Sequence, residues 1–191
     1  MVAWIVAGVS LAALVGVIAF SRRAPAPPAA AARDARDGAP ATGGPPDLSQ
    51  MTPRDAADRL FNRVMKLQDE GKRDSVSFFA PMAMTAYEAL APLDADARFH
   101  LGAVGIATGD PTLARIARAQ ADTILAGRST HLLGLVLGAQ AAALLGDTKA
   151  ARDFTARLLA AEARELAAPL DEYLQHRSVI DNALRMARTS K

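Results

Sequence analysis

The stretch Leu101–Ala121, LGAVGIATGDPTLARIARAQA, reads as two helices and the turn that joins them. Gly109 closes the first helix. Asp110 is a good N-cap, because its short side chain can accept from the unpaired N–H groups of the next helix. Pro111 suits the first helical position, where its missing N–H costs nothing. The first helix is predicted from Ala95 to Thr108, capped by Asp94 or Asp96. The second carries Leu113, Ile116, Ala117, Ala121, Ile124 and Leu125 and ends at Gly127.

The same punctuation recurs along the chain. Gly71, Gly109 and Gly146 each close a helix shortly before the next begins, 38 and 37 residues apart. A period in this range marks a helical-hairpin repeat, because one hairpin cannot bury both of its faces and neighbours must stack. Upstream, Thr52-Pro53-Arg54-Asp55 starts a helix with a cap, a first-position proline and a capping-box carboxylate. Leu60, Phe61, Val64 and Leu67 form its apolar stripe. The second element starts at Asp74 or Ser75 and stops at Pro92, and Pro81 inside it predicts a kink or a restart. Its Phe78, Phe79, Met82, Met84, Tyr87 and Leu90 read as core, with a ligand-binding patch as the alternative. The fifth helix, Ser129 to Leu145, is nearly apolar all round, which predicts burial on several sides. The sixth runs from Asp147 to Ala163. The last, Leu170 to Ala187, has the mixed surface of a terminal cap.

Leu101-Gly102, Gly109-Asp110, Ala114 and Ala121 resemble the small-residue pattern of a tetratricopeptide repeat. Gly146-Asp147 with Ala151 repeats the turn part, and Ala89-Leu90 resembles the end of the preceding unit. The resemblance spans roughly residues 52–163. It implies an all-α, tetratricopeptide-like stack of about three helical hairpins with a C-terminal capping helix. It also implies a concave face, lined by the first helix of each pair, that holds a protein or peptide segment. The layout is similar to membrane-anchored bacterial tetratricopeptide proteins, which act as adaptors or assembly factors.

The N-terminal part is built differently. From Val2 to Phe20 there is no charged side chain, and these 19 residues make a helix about 28 Å long against a bilayer core of about 30 Å. Arg22 and Arg23 follow the run and nothing basic precedes it except the amino terminus, so residues 1–23 read as a retained transmembrane anchor rather than a cleaved signal peptide or a core helix. Arg22, Arg23, Arg33 and Arg36 place the following domain in the cytoplasm by the positive-inside rule, with the periplasmic side as the alternative, at a bacterial inner membrane. Gly8, Ala12 and Gly16 share one face of this helix, where small residues let another membrane helix approach. Residues 24–50 hold six prolines and no apolar periodicity, and read as a flexible Pro/Ala linker before the helical domain of residues 51–191.

Composition narrows the chemistry. The 191 residues contain no Cys, which removes disulfides, thiolate catalysis and Cys-ligated metals. Net charge is +2 with the two signs interleaved, so no nucleic-acid footprint is present. His100, His131 and His176 fall on three different helices, and none is read as having a second His or a carboxylate at a ligand spacing such as His-x-x-x-His. Asp69-Glu70 and Asp171-Glu172 are adjacent and point different ways on a helix. No catalytic residue, cofactor or metal is expected. The expected partners are lipid along residues 2–20 and a protein or peptide, with subunits of a membrane complex as the alternative. If the third and fifth helices are first helices of their pairs, Arg98, His100, Thr108, His131 and Gln140 are the candidate polar residues of the groove.

Overall fold

The computed structural model describes residues 51–189, and among them the chain is all α-helical. The proposed anchor, including Gly8, Ala12 and Gly16, and the linker lie outside the described residues. No helix within them is long and apolar enough to cross a membrane. The elements are α1 (Pro53–Asp69), α2 (Arg73–Glu88), α3 (Ala95–Ala107), α4 (Pro111–Gly127), α5 (Leu132–Leu144), α6 (Thr148–Ala167), α7 (Asp171–Gln175) and α8 (Arg177–Thr189).

The expected caps are in place. Thr52 and Asp55 form a complete capping box at α1. Asp94, Asp110 and Asp147 accept from Ala97, Thr112 and Ala150 N–H at the starts of α3, α4 and α6. Gly71, Gly109 and Gly146 have φ of 70°, 73° and 75°. This left-handed conformation strains any residue with a Cβ, so glycine at the repeat period is a backbone requirement. After Gly71 and Gly146 the next N–H reaches back to Leu67 and Ala142 carbonyls at 2.9 Å, as in a Schellman turn. The turns fold α1 on α2, α3 on α4 and α5 on α6, and successive pairs stack.

Three elements depart from the sequence expectation. Helix α2 runs unbroken through Pro81 and ends at Glu88, ahead of Pro92. Its buried face is Val76, Ala80, Ala83, Met84 and Tyr87, at helical spacing. Phe78 and Met82 fall on the other face and are 62% and 44% exposed, so only part of that Phe/Met group is core. Helix α5 starts at Leu132, with His131 as its N-cap residue. The last helix is two, interrupted at His176.

The interior is filled by two adjoining apolar clusters, one centred on α1–α3 and one on α4–α6 with α7 and α8. Helix α5 is the most enclosed element, with every residue from Leu132 to Gly138 buried. Helices around it come close where a side chain is missing. A Cβ on Gly138 would sit 2.7 Å from the Phe154 ring, and one on Gly105 would sit 2.9 Å from the Leu113 carbonyl oxygen. The Leu113 contact is backbone and cannot rotate away. Gly105→Ala therefore destabilises the domain by about 1–2 kcal/mol, even though alanine gains about 1 kcal/mol of helix propensity. Gly127→Ala, where nothing lies within 4 Å of the added methyl, leaves the midpoint unchanged or raises it. Thermal unfolding of both variants checks the contrast.

Candidate functional site

Alternate helices α1, α3 and α5 line one wall of a groove of about 1140 Å³. Phe61 and Met65, Phe99 and Ile106, and Val136 with Ala139 supply its apolar surface. Ala103, Ala139 and Ala143 stay short and leave the groove open. The facing wall comes from α6 and from α8, through residues such as Ala151, Val179 and Ala183.

A polar cluster sits at one end of this groove. Arg54 on α1 donates through Nε to both Asp58 oxygens and through Nη1 to Asp94, and its Nη2 donates to Asp96. Tyr87 Oη donates to Asp58 at 2.5 Å and lies 2.7 Å from His100 Nδ1. With the tyrosine O–H directed at Asp58, His100 Nδ1–H donates to the phenol oxygen, and His100 Nε2 is left as a bare lone pair. That Nε2 is 3.0 Å from His176 Nε2 and 3.6 Å from Asp96 Oδ1, and His176 Nε2 is 2.8 Å from Asp96 Oδ1. The three side chains are 7%, 11% and 14% exposed for His100, His176 and Asp96. Phe61 stacks on the His100 ring at 3.9 Å. Burial lowers the His100 pKa, against the upward pull of Asp96 and Asp58. Burial opposes the Asp96 charge, but the His176 hydrogen bond and the attraction of the two histidines and Arg54 outweigh it and hold Asp96 below the usual carboxylate range. Burial and the hydrogen bond to Asp58 push the Tyr87 hydroxyl well up, so it remains a donor.

A second network surrounds the start of α5. Glu165 on α6 is fully buried and accepts from Thr130 at 2.6 Å and from Tyr173 at 3.0 Å, with Arg128 3.0 Å away. Tyr173 Oη in turn accepts from Leu132 N–H at 3.0 Å, satisfying a donor at the helix N-terminus. Burial opposes the Glu165 charge, and the bonds from Thr130, Tyr173 and Arg128 overcome it and lower its pKa.

The five candidate groove residues separate. Gln140 lines the groove. His100 turns into the polar cluster. Arg98 donates to Gln120 on α4 at 2.9 Å. Thr108 donates to Gly105 O and accepts from Asp110 N–H, which makes it a turn residue. His131 is buried against Glu172 and Tyr173. The reading that no histidine has a carboxylate at ligand spacing passes over Asp96, four residues and one helical turn before His100. The contribution of His176, 76 residues from His100, has no local signal at all. No protein-family model, curated protein or solved structure matches the chain.

His131 supplies a pH dependence. Its Nε2 faces Glu172 at 3.2 Å, Glu165 and Arg128 lie near, and its Nδ1 is buried without a hydrogen-bond partner among the described residues. Burial lowers its pKa below 6.5, against the smaller upward pull of Glu172. Below that pH the unfolded chain binds the extra proton more readily than the folded one. The stability is therefore full above about pH 6.5 and is lost as pH falls through the folded-state pKa. Urea unfolding at pH 7.5, 6.5 and 5.5 should show falling stability, and His131→Gln should make that fall shallower.

Proposed function

We propose that this chain is a membrane-anchored adaptor or assembly factor that holds a segment of a partner protein in the groove of a tetratricopeptide-like helical stack. The observation that carries the reading is the groove itself. It is walled by the first helix of each of three successive hairpins, and kept open by alanines where a larger side chain would fill it. Its surface is mainly apolar with Gln68, Gln140 and Arg152 among the polar residues, which suits an amphipathic peptide segment. The left-handed glycines at a 37–38-residue period support the repeat architecture.

The uncharged run Val2–Phe20 anchors the domain at a bacterial inner membrane, and the arginines after it favour the cytoplasmic side. The proline-rich linker holds the domain near the bilayer, so a modest intrinsic affinity becomes effective through local concentration. Binding and release make up the mechanism, without chemical turnover.

Affinity purification of the full chain in mild detergent tests the reading. Ala139→Arg and Ala143→Arg point bulk and charge into the groove and should cut partner recovery at least tenfold while leaving the circular dichroism unchanged. Replacing residues 1–23 with an unrelated single-span anchor should leave recovery intact. Retention of the partner by both groove variants, or loss of it on the anchor swap alone, overturns the adaptor reading; the second result favours an accessory subunit packed through Gly8, Ala12 and Gly16.

A further inference from the structure

We propose that Asp96, His100 and His176 form a binding site for a divalent first-row transition metal ion, Zn²⁺ being the reference case, which clips the C-terminal segment to helix α3. Among the described residues each offers one ligand atom, and the three atoms lie within 4.8 Å of one another. Their separations are 3.0, 2.8 and 3.6 Å. Ligands at about 2.0–2.2 Å from a common ion stand roughly 2.9 Å apart at right angles and 3.4 Å apart in a tetrahedron. The observed triangle spans that interval. Its circumscribed radius is about 1.85 Å, so a point ~1 Å out of its plane lies ~2.1 Å from all three atoms.

The chemistry of the donors agrees with the spacing. Two imidazoles and one carboxylate are a donor set for zinc, iron or cobalt in the divalent state, and they leave at least one position for water. His100 is already in the ligating tautomer, because Tyr87 and Asp58 take its Nδ1–H and aim the Nε2 lone pair at the cluster. This is the outer-shell arrangement that orients metal-bound histidines. Asp96 is steadied by the hydrogen bond from Arg54 Nη2. Without an ion, a single N–H on His176 Nε2 must serve both the carboxylate and the facing imidazole. With one, that proton moves to Nδ1 and all three donors are used. His176 lines the groove, which gives an ion a route to the site.

The test uses the untagged full chain in detergent, depleted of metal by chelation, and Zn²⁺ and Co²⁺ as probes. Equilibrium dialysis should give one tightly held Zn²⁺ per chain, and a hundredfold excess over Kd should raise the unfolding midpoint by roughly 5–10 °C. His176→Gln and Asp96→Asn should each weaken binding by about tenfold or more, and His131→Gln should leave it unchanged. X-ray absorption of the zinc-loaded wild-type chain should count two imidazoles, a result that does not depend on any variant folding. Absence of stoichiometric binding, a shell with fewer than two imidazoles, or equal affinity in His176→Gln overturns the site and leaves the cluster as a hydrogen-bonded network only.

Discussion

Close approach to helix α5 is the constraint on which the domain depends. A helix with Leu132, Leu133, Leu135, Val136 and Leu137 crowded into its first two turns has no side to give to water. It must be surrounded, and α3, α4, α6 and α8 do so. Large side chains on every face would hold those helices apart. Glycines remove the obstacle where they cross: Leu137 fits over Gly102, Ile124 over Gly134 and the Phe154 ring over Gly138. Magnitudes favour this packing over the ion pairs as the source of stability. A fully buried leucine contributes about 1.5–3 kcal/mol, whereas exposed i,i+4 pairs such as Arg118–Asp122 and Arg177–Asp181 contribute about 0.3–0.5 kcal/mol each.

Burying that helix creates polar obligations at its ends, and the C-terminal segment meets them. The Leu132 N–H has no acceptor within α5, and Tyr173 on α7 provides one. The same hydroxyl donates to Glu165, whose charge is out of water and tolerable only while Thr130, Tyr173 and Arg128 surround it. The segment after α6 is thus more than a lid on an exposed face. It completes hydrogen bonding that the three hairpins leave unfinished, and α8 adds Ile180 and Leu184 to the apolar interior.

What was legible in the sequence follows from the range of the physics involved. Caps and turn glycines act over four or five residues, so Thr52, Asp110, the start at Asp147 and the three repeat glycines could be read directly, while the cap of α3 was narrowed to Asp94 or Asp96 and the structure selects Asp94. The burial of α5 was legible too, since an all-round apolar run too short to cross a bilayer must be enclosed by other helices. The exposure of Phe78 and Met82 was not, because composition says a helix has apolar residues and only the angular position of Val76, Ala80 and Tyr87 says which ones face inward. The polar cluster was half legible. Asp96 and His100 share a turn of one helix, a spacing that a search for paired histidines does not include. His176 reaches them from a break between α7 and α8 that has no glycine or proline to mark it.

That break is what joins the cluster to the groove. Continuing the helix through His176 would carry its side chain on a regular helical path. The interruption instead turns the imidazole toward Asp96, 80 residues earlier. Closing so long a span costs more chain entropy than any contact within a hairpin, so the contact forms only on the already stacked helices. Phe61 is stacked on His100 and set edge-on to His176 at 6.5 Å, and Phe99 lies 4.9 Å from His176. Phe61, Phe99 and His176 also line the groove. A segment entering at this end therefore touches the rings that hold the two imidazoles in place. Anything that tightens the Asp96–His100–His176 contact also holds the start of α8, which lines the groove, against α3.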